Sequence, residues 1–181
     1  MSTAAATANP LPLPSRLGLL AALGSGALLG GAFYFQYGMG LAPCEMCHWQ
    51  RWPHMVAIAA GLLALASFAW PRLALVFTLI AITALIVTSA IGIFHVGVEY
   101  RWWQGPQACS GNIPRGLSAE QLKKYLLGAR MVRCDETVWS LWGLSMAGWN
   151  ALLSAALAFG LATSLARSSR MYTSRWSGVR T

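Results

Sequence analysis

The residues most able to do chemistry are two cysteines three positions apart, Cys44 and Cys47, at the entrance to an apolar stretch. A Cys-x-x-Cys pair is a compact dithiol that can close into a reversible disulfide and exchange electrons with other thiols. Arg51 follows Cys47 by four residues, and an arginine near a membrane core is costly enough to be a functional candidate. If a helix begins by Cys47, the two side chains face each other and the guanidinium can stabilise a Cys47 thiolate.

Two further cysteines, Cys109 and Cys134, lie in a later polar segment. Turn-forming residues at 105–106 and 111–114 flank Cys109 and predict an exposed position for it. Cys134 lies just before the last apolar stretch. Two separated pairs, one of them beside a cation at the membrane boundary, suggest that electrons pass from one pair to the other and then into the bilayer.

Composition places the chain among membrane proteins. Only 10% of its 181 residues are charged, whereas a soluble domain usually has about 25%. Four apolar stretches are close to or above the ~18–20 residues that cross a bilayer as a helix. They cover roughly residues 17–37, 53–70, 73–98 and 138–166. We therefore predict an all-α membrane protein, a bundle of four transmembrane helices.

Four crossings would put both termini on one side of the membrane and the cysteine-bearing loops, residues 38–52 and 99–137, on the other. Disulfides persist in oxidising compartments, so the side that carries the sulfurs should be the periplasm or its equivalent. The Lys and Arg counts, six on the cysteine-free side and seven on the other, do not decide the orientation. The expected parts are a cytoplasmic segment, residues 1–16, an inner-membrane domain, residues 17–166, and a basic cytoplasmic tail, residues 167–181.

An alternative interpretation of the first apolar stretch is a cleaved signal peptide. Arg16 is the only basic residue before it, and the run continues through aromatic residues 33–35 instead of ending at a small-residue cleavage site. These features favour a retained membrane helix. Gly26 and Gly30 form a Gly-x-x-x-Gly pair in this stretch, which predicts a close contact with a neighbouring helix.

The second cysteine-bearing loop contains a predicted surface helix. Ser118 and Gln121 fit a capping box, in which each side chain bonds the backbone of the other residue, and Gly128 can end the helix. Apolar residues form one side of this segment, with Lys123 and Lys124 outside it. The pattern predicts a short amphipathic helix on the membrane surface.

The net charge of +8 is spread over the ends and loops of the predicted helices, with an arginine-rich tail after residue 166. This distribution favours contact with anionic membrane lipid. A nucleic-acid-binding protein would instead gather its basic residues on one face, so no nucleic-acid partner is expected.

Three segments of the chain share a pattern with a known family. They are Cys44-Glu45-Met46-Cys47-His48-Trp49-Gln50-Arg51, the run from Gly92 to Glu99 that leads to Cys109, and Cys134 followed by the run from Gly143 to Asn150. In these segments the chain resembles the disulfide bond formation protein B (DsbB) family, and the resemblance spans about residues 17–166. A Cys-x-x-Cys-x-x-Gln-Arg motif at a helix entry, with a second cysteine pair in a loop, is far more specific than Cys-x-x-Cys alone.

The resemblance implies a four-helix membrane enzyme that reoxidises a periplasmic DsbA-like thiol oxidase and passes the electrons to membrane quinone, either ubiquinone or menaquinone. By this resemblance Cys109 forms the mixed disulfide with the partner, Cys134 then attacks Cys44, and Cys47 donates electrons to the quinone. The quinone-binding residues would be Cys47, Arg51 and His95. No residue is assigned to a metal.

Two other functions remain open from the sequence. One is a vitamin K epoxide reductase-like quinone and thiol enzyme, although the redox Cys-x-x-Cys of such proteins is usually placed late in the bundle. The other is a non-enzymatic membrane protein that binds a metal through Cys and His, although Arg51 would repel a cation.

Structural interpretations of single residues also remain open. A Cys109–Cys134 disulfide would close a long loop and could serve stability alone. Arg51 could be an anchor whose charged end reaches the lipid head groups. His48 and His54 are interpreted as interfacial residues because of their position beside the apolar stretch.

Overall fold

A computed structural model of the chain describes residues 11–106, Cys109, residues 118–121 and residues 133–177, with the backbone alone over residues 169–177. The described residues form a bundle of long helices. These helices are α1, Leu13–Phe33, α2, Glu45–Ala66, α3, Pro71–Glu99, and α4, Met146–Ser177. A π-helical turn, Tyr34–Gly38, extends α1.

Length and composition separate three membrane-spanning candidates from the rest of the described chain. They are Leu13–Gly38, Pro71–Glu99 and Met146–Ser168, each long and apolar enough to cross a bilayer. Helix α2 is long enough, but its first half carries Glu45, Arg51 and His54 and is too polar to qualify. The membrane character follows from the three apolar helices, and the fourth crossing stays a prediction.

Helix α2 starts well before the predicted stretch at residues 53–70 because Cys44 caps it. The Cys44 sulfur accepts the backbone N–H of Cys47 at 3.2 Å, which satisfies one of the free donors of the first turn. The helix then continues through Pro53. As a result, the whole segment from Cys47 to Arg51 is helical and its two ends lie on one face.

Helices α1 and α2 cross most closely at Gly18 and Gly61. A Cβ atom on Gly18 would meet the Ala64 Cβ at 2.5 Å, and one on Gly61 would collide with the backbone of α1. Gly26 and Gly30 have open space around them instead. The predicted contact through Gly26 and Gly30 is therefore wrong, because the crossing lies two turns nearer the start of α1.

A small hairpin precedes α4, where the sequence predicted helix from residue 138. Strand β1, Ser140–Leu141, pairs antiparallel with β2, Leu144–Ser145. The connecting residues Trp142 and Gly143 take φ of 52° and 79°, which is the geometry of a tight two-residue hairpin turn. The predicted start of the fourth stretch is wrong because an apolar hairpin has the same composition as an apolar helix.

Helix α3 ends in a Schellman motif that turns the chain toward the second cysteine pair. The backbone N–H of Trp102 donates to the Gly97 carbonyl at 2.8 Å, and that of Arg101 donates to the Val98 carbonyl at 3.0 Å. Arg101 takes the required left-handed conformation, with φ of 59°.

The capping box of the predicted surface helix is present. Gln121 Oε1 accepts the Ser118 backbone N–H at 3.0 Å, and Ser118 Oγ accepts the Gln121 backbone N–H at 3.3 Å. The remainder of that prediction, including Lys123, Lys124 and Gly128, lies outside the described residues, so the surface helix stays a prediction.

Candidate redox site

The first cysteine pair lies at the N-terminus of α2. Cys44 is buried and Cys47 is partly exposed, and their sulfurs are 2.8 Å apart as free thiols. The start of a helix carries a partial positive charge that favours a nearby thiolate. The position therefore favours an ionised sulfur in the first turn.

The thiols of Cys44 and Cys47 differ in pKa. Both lie ahead of the apolar part of α2. The hydrogen bond from Cys44 lowers the pKa of Cys47, against the opposing effect of burial, and the charge of Arg51 lowers it further. The same hydrogen bond and burial raise the pKa of Cys44. Cys47 is consequently the sulfur of the reduced pair that ionises more readily, and the Cys44 thiol is placed to donate a hydrogen bond to it.

Arg51 is buried beside Cys47 on the same face of α2. Its Nη1 donates to Gln36 Oε1 at 2.6 Å, and its guanidinium lies 5.1 Å from the centre of the Phe33 ring. Its Nε has no hydrogen-bond partner among the described residues. These contacts hold the Arg51 side chain at one end of α1 and leave its Nε–H as an available donor. The side chain does not extend outward as that of a lipid anchor would.

Cys47 and Arg51 line a mainly apolar cavity of about 310 Å³ between the helices. Residues of α1, α3 and α4 complete its walls, and the chain ahead of α4 adds Trp139, whose ring packs 4.7 Å from that of Phe35. Pockets for small ligands usually combine apolar walls with a few polar groups. This cavity has that character, and a reactive sulfur borders it.

The second cysteine pair is a disulfide that packs onto the first pair. Cys109 and Cys134 are bonded with their Cα atoms 5.2 Å apart, and both are buried with Met46 and Val98. The predicted exposed position of Cys109 is therefore wrong, because the disulfide holds it against these apolar side chains. Both pairs, far apart in sequence, form one sulfur cluster at the end of the bundle.

A polar network crosses the bundle beneath the sulfurs. Gln50 Nε2 lies 2.8 Å from His95 Nδ1 and 3.4 Å from the Met46 carbonyl. Asn150 Nδ2 donates to Gln50 Oε1 at 2.7 Å and to Thr88 Oγ1 at 3.1 Å. Thr88 Oγ1 donates a hydrogen bond to the backbone carbonyl of Gln50 at 2.9 Å. The Met46 carbonyl and the Thr88 hydroxyl together fix which end of each amide is the donor.

The direction of this network assigns the proton of His95. Because Gln50 donates to Nδ1, the neutral ring carries its hydrogen on Nε2. Nε2 lies 3.5 Å from Cys44 Sγ, and the whole ring is buried. His95, expected from the resemblance at the quinone, lines the cavity and also donates toward a sulfur.

His54 is buried within the bundle, and its interpretation as an interfacial residue is wrong. Its Nε2 is 2.8 Å from Asn150 Oδ1, which also accepts from Ser154 Oγ at 3.4 Å. Asn150 on α4 supplies the polar partner that a buried imidazole needs. His48, one turn from the start of α2, is exposed as predicted.

Glu99, the last residue of α3, borders the same cavity. Its side chain is only 7% exposed, and its Oε1 lies 4.0 Å from His95 Nε2. Ser145 on β2 lies close to the carboxyl group. The other oxygen, Oε2, is buried without a hydrogen-bond partner among the described residues.

Comparison with known proteins decides the family. The model of the family described as disulfide bond formation protein DsbB matches residues 14–164. The chain belongs to the DsbB family. No solved structure matches the chain.

Curated DsbB-family proteins from several bacteria are similar to this chain. Disulfide bond formation protein B of Haemophilus influenzae strain 86-028NP is 33% identical over 139 residues, 72% of this chain and 73% of its own. That of Pasteurella multocida is 34% identical over 121 residues, covering 65% and 66%. That of Polaromonas naphthalenivorans is 50% identical over 60 residues, covering 33% and 36%. The family resemblance predicted from the sequence motifs is confirmed.

DsbB-family membership makes the chain a membrane disulfide oxidoreductase, and the structure brings the predicted site residues together. Cys44, Cys47, Arg51 and His95 border one cavity, and the Cys109–Cys134 disulfide packs against it. Sequence reasoning assigned no role to Gln36, Gln50, Glu99 or Asn150, which also line this cavity. The available signal was their polarity, since polar side chains in apolar helices are commonly functional.

Proposed function

We propose that this protein reoxidises a periplasmic DsbA-like dithiol oxidase and passes the electrons through its two cysteine pairs to a membrane quinone. The observation that carries the proposal is the meeting of the two pairs. The sulfurs of Cys44 and Cys134 and a ring nitrogen of His95 all lie within 4.8 Å of one another. A short movement of Cys134 toward Cys44 would suffice for exchange, while Cys47 faces the cavity.

The surroundings of each sulfur support the order of exchange that the resemblance implies. A thiol of the partner loses its proton, attacks Cys109 and releases Cys134, which takes up that proton. Cys134 then attacks Cys44, and Cys47 leaves as the thiolate that the hydrogen bond from Cys44 and the charge of Arg51 stabilise. The second thiol of the partner then attacks the mixed disulfide, which releases the oxidised partner and leaves Cys109 as a thiol. Cys109 finally attacks Cys134, which re-forms the second disulfide and releases Cys44 as a thiol.

The cavity fits the head group of a quinone. Its walls are mainly apolar, and Arg51 Nε is a buried donor with no partner among the described residues, suited to a carbonyl oxygen. A quinone bound there would accept two electrons and two protons. Arg51 and Cys47 would hold it, with His95 in the same wall.

Purified protein mixed with reduced DsbA-like partner and quinone tests the proposal through the optical change on quinone reduction. We expect Cys109→Ser to lose the reaction with the partner, while a small dithiol still reduces Cys44–Cys47. Partner oxidation at the normal rate by Cys109→Ser would contradict the proposed order.

The metal-binding alternative is tested in the same preparation. Cys44, Cys134 and His95 are the donors such a site would use, but Cys134 is committed to a disulfide in this structure. Free-thiol counts with and without reductant, together with a metal assay, separate the two functions. A stoichiometric metal bound to the isolated protein would favour the alternative.

A further inference from the structure

Oxidation of a dithiol by a quinone transfers two protons along with two electrons, and the sulfurs hold only one of these protons. This inference rests on the proposed function. In the reduced pair the two sulfurs are 2.8 Å apart, so that a proton on Cys44 can form a hydrogen bond to the Cys47 sulfur. Cys47 lies in the first turn of α2 and one turn from Arg51, a position that favours its release as a thiolate, and the proton that balances this charge then needs another acceptor near the cavity.

Among the described residues, the cavity offers two groups that could accept this proton, Glu99 and His54, whose Nδ1 also lacks a hydrogen-bond partner there. His54 lies seven residues, about 10 Å, along α2 from Cys47, whereas the charge of Glu99 acts on Cys47 itself, so Glu99 is the stronger candidate. The other groups are excluded in turn. Arg51 is already fully protonated. His95 has no free lone pair, because Nδ1 accepts from Gln50 and Nε2 carries the hydrogen. Glu136 is 69% exposed and lies 3.8 Å from the Arg133 Nε, so it offers no buried, unpaired oxygen.

Glu99 has the features that the missing group requires. Glu99 lines the cavity together with Cys47, and a negative charge on Glu99 raises the pKa of that thiol. Its side chain is only 7% exposed, and Oε2 is a buried oxygen without a hydrogen-bond partner in the part of the chain that the structure describes. A buried oxygen of this kind costs free energy as an unpaired anion, whereas it can hold a proton without a counter-ion.

We propose that Glu99 is the proton store of the site: Oε2 takes up a proton when Cys47 is released as a thiolate and gives it up when the Cys44–Cys47 disulfide re-forms. His95 then has a different task, as a fixed donor toward the Cys44 sulfur.

The steps balance. Attack of the Cys134 thiol on the Cys44–Cys47 disulfide gives the Cys44–Cys134 disulfide and the Cys47 thiolate, and the Cys134 proton passes to Glu99. The Cys109 thiol then releases Cys44 with its own proton. Re-formation of Cys44–Cys47 sends two electrons, the Cys44 proton and the Glu99 proton to the quinone, and leaves Glu99 as a carboxylate.

Infrared difference spectra of the protein without quinone test the proposal directly. Reduction of Cys44–Cys47 should produce the C=O band of a protonated carboxyl group in the native protein. The band should vanish in Glu99→Gln and return at a shifted position in Glu99→Asp. The matched control is Glu45→Gln, which replaces an exposed acid at the start of α2 that accepts a hydrogen bond from Trp49 Nε1. This variant should keep the band.

A second readout follows quinone reduction after a small dithiol has reduced the first pair. Glu99→Gln should slow this step about a hundredfold, within the usual contribution of general acid catalysis, and Glu99→Asp should restore part of the rate. The pH profile of the step should lose one ionisation in Glu99→Gln. The ionisable groups that also face this part of the cavity, and remain in the variant, are Cys44, Cys47, Arg51, His54, His95, Arg133 and Glu136.

The outcomes separate this proposal from the proposed function. If the native protein shows the Glu99 band but reduces no quinone, the proposed function is contradicted, and the role of Glu99 as a proton store still stands. Native protein that reduces quinone while Glu99→Gln keeps the band, the rate and the pH profile would overturn the proton store alone. A normal Cys109–Cys134 disulfide in each variant checks that the fold is intact.

Discussion

At the residue scale, the reactive pair gains its asymmetry from three neighbours. The Cys44 sulfur lies 2.8 Å from the Cys47 sulfur, within hydrogen-bond reach, and it accepts the backbone N–H of Cys47 at 3.2 Å. His95 Nε2 lies 3.5 Å from Cys44, and Arg51 adds positive charge beside Cys47. Two chemically identical side chains thereby acquire different roles, one as thiol and one as thiolate.

The pH dependence of Cys47 alkylation should report this asymmetry. In a background with Cys109 and Cys134 replaced by Ser, Cys44→Ala removes the hydrogen bond that lowers the pKa of Cys47 most. A thiol with a higher pKa ionises at higher pH, so the midpoint of alkylation should move upward. Arg51→Met should move it in the same direction by less. An unchanged midpoint in Cys44→Ala would contradict the assignment of the thiolate.

Arg51 should affect the quinone step and leave thiol exchange near normal. Arg51→Lys keeps the charge but loses the planar group, so quinone reduction should weaken in part. Arg51→Met should cost roughly 1.5–3 kcal/mol, about ten- to a hundredfold, seen as a higher KM for quinone or a slower reduction step. Single-turnover exchange between the partner and Cys109–Cys134, without quinone, is the control. Equal loss in both assays would mean a structural role.

At the element scale, α2 is the helix that organises the site. Its first turns present Cys47, Gln50, Arg51 and His54 on the face toward the other helices, and its second half packs closely against α1 at Gly61. The close crossing brings the cavity-lining ends of α1 and α2 together. Packing far from the sulfurs therefore sets the distance between Arg51 and the α1 residues that hold it.

Replacing single glycines by alanine should show that α1 and α2 are in close contact at Gly61 and not at Gly26. A methyl group on Gly61 would meet the Ala22 Cβ at 2.9 Å and its backbone N at 3.0 Å, so Gly61→Ala should lower the free energy of unfolding by about 1–3 kcal/mol. Gly26→Ala is the matched control, since a Cβ there meets nothing within 4 Å. It should be neutral or stabilising by up to ~1 kcal/mol. Denaturant unfolding in detergent measures both, and similar losses would argue against the crossing.

The sequence predicts the helical segments and the first cysteine motif well, because both depend on neighbours in the chain. It does not predict the hairpin before α4, because apolar residues 138–145 suit a helix equally and only the positive φ of Trp142 and Gly143 reveals the turn. It also misses the network, because Gln50 and Asn150 are 100 residues apart and meet only in the folded bundle.

At the scale of the whole molecule, both cysteine pairs gather at one end of the bundle, and the short connection between α2 and α3 lies at the other. The three apolar spans place these ends on opposite sides of a bilayer if α2 also crosses it. The proposed function requires the sulfur end to face the periplasm, where the partner is oxidised.

Single-cysteine variants should establish this orientation. Trp142 is 86% exposed near the sulfur end, and Arg72 is exposed at the opposite end. With the four native cysteines replaced by Ser, a membrane-impermeant thiol reagent should label Trp142→Cys in spheroplasts and should label Arg72→Cys only after lysis. The reverse pattern would overturn the orientation.

The burial of the sulfur cluster limits which reductants can reach it. Cys109 is 5% exposed and Cys134 is fully buried, so small thiols find almost no surface of the second disulfide to attack, whereas Cys47 of the first pair is partly exposed. A partner must displace the chain around Cys109 before it can deliver electrons. The second disulfide is therefore shielded from small reductants in the surrounding fluid and is selective for a protein that docks at Cys109.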